Sequence, residues 1–515
     1  MTCLSNKCAT LLAFFFVLAS GTISELYAQG KTQVEIDNAD SFEGDESLGK
    51  NVSRLLGNVR FRHQGALMYC DSAYLYQETN SLDAFGKIRI VQGDSIQLTG
   101  DLLKYDGNTR QAKLTGKVTM TDRQMVLTTD VLNYNLGSET ADYTDGGKIT
   151  DKENVLTSRK GYYYSNEKML YFRDEVVLTN PKYRVVADTL KYHTITKTAI
   201  FTGPTHILSS GTDQSVIYCE SGWYNTANEN SFFTGNASVT SKENKLTGDS
   251  LLYDNKTTVG RAYGNVAISD SIQKVIVSGD FAYNDDRNKK SLVTGRTMLT
   301  KVFETDSLYL HGDTLYATLD TTTQNRTWTA YYHVRIFKND LQGTCDSLVY
   351  KSADSTLSFY KEPVLWSDKN QLTADFMNMQ LANSQISELR LFNTAFICSM
   401  EDSVRFNQIN GRNMTGYFAD NKLHTIKVEG NGQSVYFTRN NKKQLTGVNR
   451  ADCSDMMISI QESKIRSITM INKPDATLYP VNELSPSELK LKNFSWKNDI
   501  RPVSKEDIFR KPNAR

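Results

Sequence analysis

The chain has 515 residues, with 59 Lys and Arg against 58 Asp and Glu, for a net charge of +1. So even a balance gives no electrostatic reason to expect a nucleic-acid partner, and an aromatic content of 10% argues against a disordered chain. Only one apolar run approaches membrane-spanning length, and it lies at the extreme N-terminus, so a helical membrane protein is not expected.

Residues 1–28 read as a secretion signal. Lys7 supplies the positive start, Leu11 to Ala19 the short apolar core, and Ala28 a cleavage point that leaves Gln29 as the new N-terminus. No Cys follows the apolar core, so a lipoprotein anchor is not expected.

From there the chain repeats with a period of about 30 residues. A Gly is followed two and four residues later by apolar residues. Gly57 leads to Val59 and Phe61, Gly86 to Ile88 and Ile90, Gly116 to Val118 and Met120, Gly235 to Ala237 and Val239, and Gly264 to Val266 and Ile268. Gly203 and Gly295 begin weaker copies. A second landmark, Asp-x-apolar-x-Tyr, keeps the same period at Asp101–Tyr105, Asp130–Tyr134, Asp188–Tyr192, Asp249–Tyr253 and Asp346–Tyr350, with Glu220–Tyr224 as a variant.

Polar turns follow each Tyr, as in Asp106-Gly107-Asn108 and Asp254-Asn255-Lys256. A second turn follows each Gly-led strand, as in Thr121-Asp122-Arg123. Two turns per repeat and period-two alternation predict an antiparallel meander that crosses twice per copy. In Leu98–Tyr105 the apolar residues change face midway. The strand must therefore bend near Gly100-Asp101 if both sets are to reach one core. The recurring acidic residue is expected to cap that bend through backbone hydrogen bonds; a carboxylate stack binding cations is the alternative.

Five Cys lie beyond the signal segment: Cys70, Cys219, Cys345, Cys398 and Cys453. They have neither zinc-ligand spacing nor the look of a disulfide framework. Cys70, Cys219 and Cys345 each precede the acidic residue, where other copies have Gly100, Thr129 or Ala187, so the position calls for a small side chain.

The copy at Gly146–Tyr164 is degenerate, the stretch from Gly295 to Val334 is lengthened, and Thr321–Asn325 reads as a loop. The repeats fade toward Ile471. Pro474, Pro480, Pro486, Pro502 and Pro512 then mark a tail, in which Ser485-Pro486-Ser487-Glu488-Leu489 could start a short helix. The expected organisation is a signal at 1–28, regular repeats over 29–320, divergent repeats over 321–473 and a tail over 474–515.

The alternation of Gly-Asn-Val-x-apolar with Asp-x-Leu-x-Tyr-Asp/Asn resembles the OstA family, the periplasmic lipopolysaccharide-transport fold shared by LptA and the N-terminal part of LptD. It is clearest at Thr234–Ala237 through Asp249–Tyr253 and at Tyr263–Val266, and it recurs over roughly 50–470. The chain is longer than a typical LptA, and the segment after the repeats is too short for the LptD barrel.

The resemblance implies an all-β fold: an extended antiparallel OstA-like β-jellyroll, a folded-sheet solenoid of about twelve repeats. It implies an apolar groove for acyl chains and partners that dock by strand addition at the open edges. The groove residues implied are Val59, Phe61, Ile88, Ile90, Val118, Met120, Ala237, Val239, Val266 and Ile268; the competing reading is a closed core made of the same side chains. The partners implied are lipopolysaccharide or a related lipid and other Lpt-type jellyrolls. The location implied is the periplasm, with or without peripheral association to the outer membrane.

The six His share no repeat position, and no Gly-x-Ser-x-Gly, His-Glu-x-x-His or phosphate-binding Gly loop occurs. No enzyme, cofactor or metal is therefore expected. The rival readings are a carbohydrate-active parallel β-helix, whose acidic residues would be catalytic, and an adhesin whose repeats form a stalk.

Overall fold

A computed structural model describes residues 32–510 apart from 45–48, 50, 124, 212–213, 384, 420–421, 441, 443 and 462–463. The expected signal at 1–28 lies outside the described residues. The described residues form two compact units: those of Met1–Thr115 with Asn135–Gly137, and those of Gly116–Tyr134 with Ser138–Arg515. Both units are built of antiparallel strands, and every recorded strand pairing is antiparallel, which rules out a parallel β-helix.

The first unit shows how a copy is built. Val52–His63 pairs with Ala66–Tyr76, which pairs with Ser81–Gln92, which pairs with Ile96–Asp106. Each copy therefore crosses twice. Hairpin turns are closed by side-chain oxygens: Asp106 Oδ1 accepts from the backbone N–H of Asn108 at 2.8 Å, and Asn135 Oδ1 from that of Gly137 at 2.7 Å.

The change of face is made by a bulge, and its position differs from the expected one. Phe85 pairs with Leu102 and Ile88 with Gly100, so Gly86 and Lys87 stand opposite Asp101 alone. The strained pair is on the Gly-led strand: φ is +75° at Gly86 and +47° at Lys87. The same left-handed pair recurs at Gly57-Asn58, Gly235-Asn236 and Gly264-Asn265.

Glycine is required at Gly86 for two reasons. The left-handed region disfavours any Cβ, and a Cβ there would lie 2.6 Å from the Asp71 carboxylate on the neighbouring strand. The expected backbone capping is not recorded at the described creases for the acidic residue opposite the bulge; in the copy at Gly430-Asn431 that place holds Ser454, and the Gly430 N–H donates to the next residue, Asp455, at 2.9 Å. Elsewhere the second bulge residue supplies the donor from its side chain, as Asn58 does to Asp40 (2.8 Å) and Asn236 to Glu220 (3.0 Å). That residue's amide reaches across the crease.

The interior of the second unit lies between the two halves of its creased strands. Toward the C-terminus it is densely packed by Met377, Leu391, Met414, Val428, Met456 and Ile458. The opposite face of the same strands is also apolar there. Phe396, Cys398, Val435, Phe437 and Val448 point away from that interior and are buried beneath Leu491, with Leu484, Leu489, Phe494 and Trp496 packed around them.

The covering segment is the chain's own end. After the strand Asp475–Tyr479 it runs back over earlier strands as turns and two short 3-10 helices, Asn498–Ile500 and Asp507–Phe509. At Ser485 a single turn forms, capped reciprocally by Glu488. Three buried glutamines hold this strap. Gln408 donates to the Leu489 carbonyl and accepts from the Leu491 N–H, and Gln371 does the same with Ser495 and Lys497. Gln342 accepts from the Arg501 guanidinium at 2.8 Å.

An apolar groove as the candidate functional site

Pairing register aligns one inward-facing residue from each successive strand. In the second unit this line reads Leu127, Ile149, Leu156, Leu178, Val185, Ile207, Ile217, Val239, Leu246, Ile268, Val277, Leu299, Leu310, Ile336. Residues paired directly across adjacent strands share a face of the sheet, so all of them lie on one face. From Leu178 to Leu310 the line spans ten strands, or about 43 Å at the usual ~4.8 Å spacing.

All ten of those residues wall a cavity of about 1290 Å³. The opposite wall explains the space. There the register line nearer the crease reads Phe201, Gly222, Phe233, Leu251, Ala262, Ala282, Val293, Leu315, Ala330. The line nearer the rim reads Tyr224, Ser231, Tyr253, Gly260, Asn284, Ser291, Ala317, Trp328. Between Tyr253 and Trp328 this rim line carries only Gly260, Asn284, Ser291 and Ala317, so the aliphatic line opposite is less fully packed and stays half-exposed from Ile207 to Leu299.

The lining is chemically quiet. Tyr183, Tyr224 and Tyr253 face the cavity, and burial raises all three phenols, Tyr224 to about 12, so they remain neutral near pH 7. Charges sit at the rim: Lys182 pairs with Glu229 at 3.4 Å, and Asp270 accepts from the Gln273 N–H at 2.7 Å. The lining includes neither His nor Cys. The five described Cys are buried free thiols, with Cys70, Cys345 and Cys398 pushed up to about 12 by desolvation. Cys345 Sγ donates to the Ser347 carbonyl at 3.3 Å, so there the small residue before the acidic one also ties the bend.

The family model described as "OstA-like protein" matches residues 31–188. That stretch is OstA-like. The crystal structure of LptH from Pseudomonas aeruginosa, described as the LptA-homologous periplasmic component of the lipopolysaccharide transport device, is a similar solved structure. It shares 13% identity and covers 22% of this chain and 93% of its own, with a TM-score of 0.21. No curated protein matches the chain. The cavity lies mostly beyond the OstA-like stretch, whose end at 188 reaches only its first wall. The creased, antiparallel construction nevertheless continues unchanged from one to the other. Among the described residues no helix is long and apolar enough to cross a membrane.

The ten residues singled out from sequence fall into three settings. Val59, Phe61, Ile88 and Ile90 lie in the first unit, and Val118 and Met120 in the second; all six are sealed within packed interior. Ala237 and Val266 are also sealed, beside the crease at the base of the groove strands. Val239 and Ile268 are half-exposed and line the cavity. Sequence reading did not find Ile207, Ile217, Val277 and Leu299, whose copies are irregular, nor the small residues Gly260, Ala262 and Ala282. The signal available was a run of small residues where other copies carry Leu or Tyr.

Proposed function

We propose that this protein carries an amphiphilic lipid of the lipopolysaccharide type as a non-enzymatic component of outer-membrane biogenesis. The acyl chains lie in the groove between Ile207 and Leu299, and the polar headgroup stays at the rim. The observation that carries this reading is the continuous aliphatic line facing a wall of small residues, which leaves about 1290 Å³ of apolar-lined space reachable from solvent. The OstA-like N-terminal stretch supports the same class. The N-terminal segment would direct export to the periplasm, and Lpt-type jellyrolls would dock by edge-strand addition.

The test is binding of purified lipopolysaccharide to the protein from Gln29 onward, compared with Ala282→Phe, which fills the groove from its small-residue wall. Affinity is expected to fall by about tenfold or more, ~1.4 kcal/mol, with an unchanged circular-dichroism spectrum. Equal affinity in the two proteins would refute the groove as the binding site.

A further inference from the structure

The aliphatic register line is not uniform. At Leu127, Ile149 and Leu156 before the groove, and at Ile336 and Leu365 after it, the same line is at most 7% exposed, and Leu310, the last of it to wall the cavity, is 8% exposed. Between these flanks the line is half-open at Leu178 and at every strand from Ile207 to Leu299, with Val185 sealed; further on, Leu372 and Ile397 are partly exposed but packed on the C-terminal core. Both flanks belong to the second unit, and both are filled. On the N-terminal side Leu132, Tyr134, Phe172 and Val176 occupy the interior; on the C-terminal side Phe359, Met377, Leu391 and Met414 do. Interiors packed to this density hold no space for a sliding chain.

The N-terminal end of the groove is also tied across its mouth. Tyr183 from one wall meets Tyr224 from the other edge-to-face, with ring centroids 5.9 Å apart. The Lys182–Glu229 pair joins the turns beside them. Exposure along the groove rises away from the crease: Cys219, Ala237 and Val266 beside it are sealed, whereas Ile217, Val239 and Ile268 two residues further out are half-open.

From this we infer that the groove is loaded and emptied sideways, through the gap opposite the crease, and is a dead end along the strand-stacking axis. The inference rests on the lipid-carrying reading and refines it: the protein holds a lipid in a bounded compartment and does not pass it from copy to copy through its interior. The Tyr183–Tyr224 contact and the packed copy around Phe359 and Met377 set the two limits of that compartment.

The experiment places a photo-crosslinking residue singly at three points of the full mature chain: Ile268 in the groove, Leu127 in the N-terminal flank and Met414 in the C-terminal flank. Each variant is irradiated with purified lipopolysaccharide. Adduct is expected at position 268 and no more than background at 127 and 414. Strong adducts at all three would overturn the dead end while leaving lipid carriage standing. Adduct at none would overturn both. Because a bulky residue at the sealed flanks could unfold its own copy, Tyr183→Ala is the companion variant. It removes the cross-mouth contact without adding bulk, and it should raise labelling from a probe at Leu178, at the N-terminal end of the cavity, above the level seen without the substitution, while leaving that at 414 at background. Labelling at 414 in this variant would also overturn the inference.

Discussion

A carboxylate placed at Val266 or at Ile268 distinguishes a sealed position from a groove position two residues away on the same face. Val266 is 1% exposed beside the crease, while Ile268 lines the cavity. At Val266 an introduced Asp has neither water nor a cation nearby, so it stays protonated at pH 7. Holding a group with an ordinary pKa of about 3.9 neutral at pH 7 costs roughly 4 kcal/mol at ~1.36 kcal/mol per unit. Loss of the buried Val side chain adds about 2 kcal/mol. The total, about 6 kcal/mol, is comparable with the whole stability of many domains. At Ile268 the carboxylate reaches water through the mouth, and the expected cost is about 1 kcal/mol.

The sign with pH comes from the raised pKa of the folded state. The unfolded chain gives up its proton near pH 4 and the folded chain holds it, so the Val266→Asp penalty grows as pH rises above about 4 and falls back below it to the roughly 2 kcal/mol of lost packing. Urea midpoints at pH 7 and pH 4 measure this. V266D should unfold far earlier than wild type at pH 7 and approach it at pH 4. I268D should stay close to wild type in stability yet lose lipopolysaccharide binding. Equal destabilisation by the two changes would mean that both sites belong to a closed core and would refute the groove.

Gly86→Ala should destabilise more than Gly93→Ala in thermal unfolding. Both positions have positive φ, costing about 1–2 kcal/mol for a Cβ, but only Gly86 also meets a carboxylate; equal losses would remove the Asp71 contact as a cause. A thiol reagent at pH 8 should leave Cys70, Cys219, Cys345, Cys398 and Cys453 unmodified in the native protein and label all five in urea, because burial keeps the thiols protonated; rapid native labelling would contradict the packed crease. Deleting residues 481–515 should speed amide exchange between about 296 and 479 while sparing 240–290, since the strap packs on Arg296, His311 and the strands after them; uniform acceleration would show that the strap supports more than it covers.

The repeat, the two crossings per copy and the need for a crease are legible because period-two alternation breaks at a fixed point, as in Leu98–Tyr105. The same pattern puts the bulge on the wrong partner strand because Gly100-Asp101 and Gly86-Lys87 lie opposite each other, and only register shows which residues take positive φ. The groove is legible as an apolar face but not in extent. Phe61 and Ile268 hold equivalent inward positions, and whether such a residue is sealed depends on the size of residues on the other wall, from strands read separately. The strap is least legible: Gln342, Gln371 and Gln408 look like surface residues until the tail lies over them.

The strap also orders events in time. Every creased strand pairs with a neighbour close in sequence, so copies can settle one after another as the chain folds. The bonds from Arg335 to the Arg510 and Ile500 carbonyls join residues 175 and 165 apart. Until residues 484–496 dock, Phe396, Val435 and Phe437 face water on finished strands. Docking of residues 484–496 is thus registered on strands far from them in sequence, and a product cut short before this segment displays an apolar face prone to association.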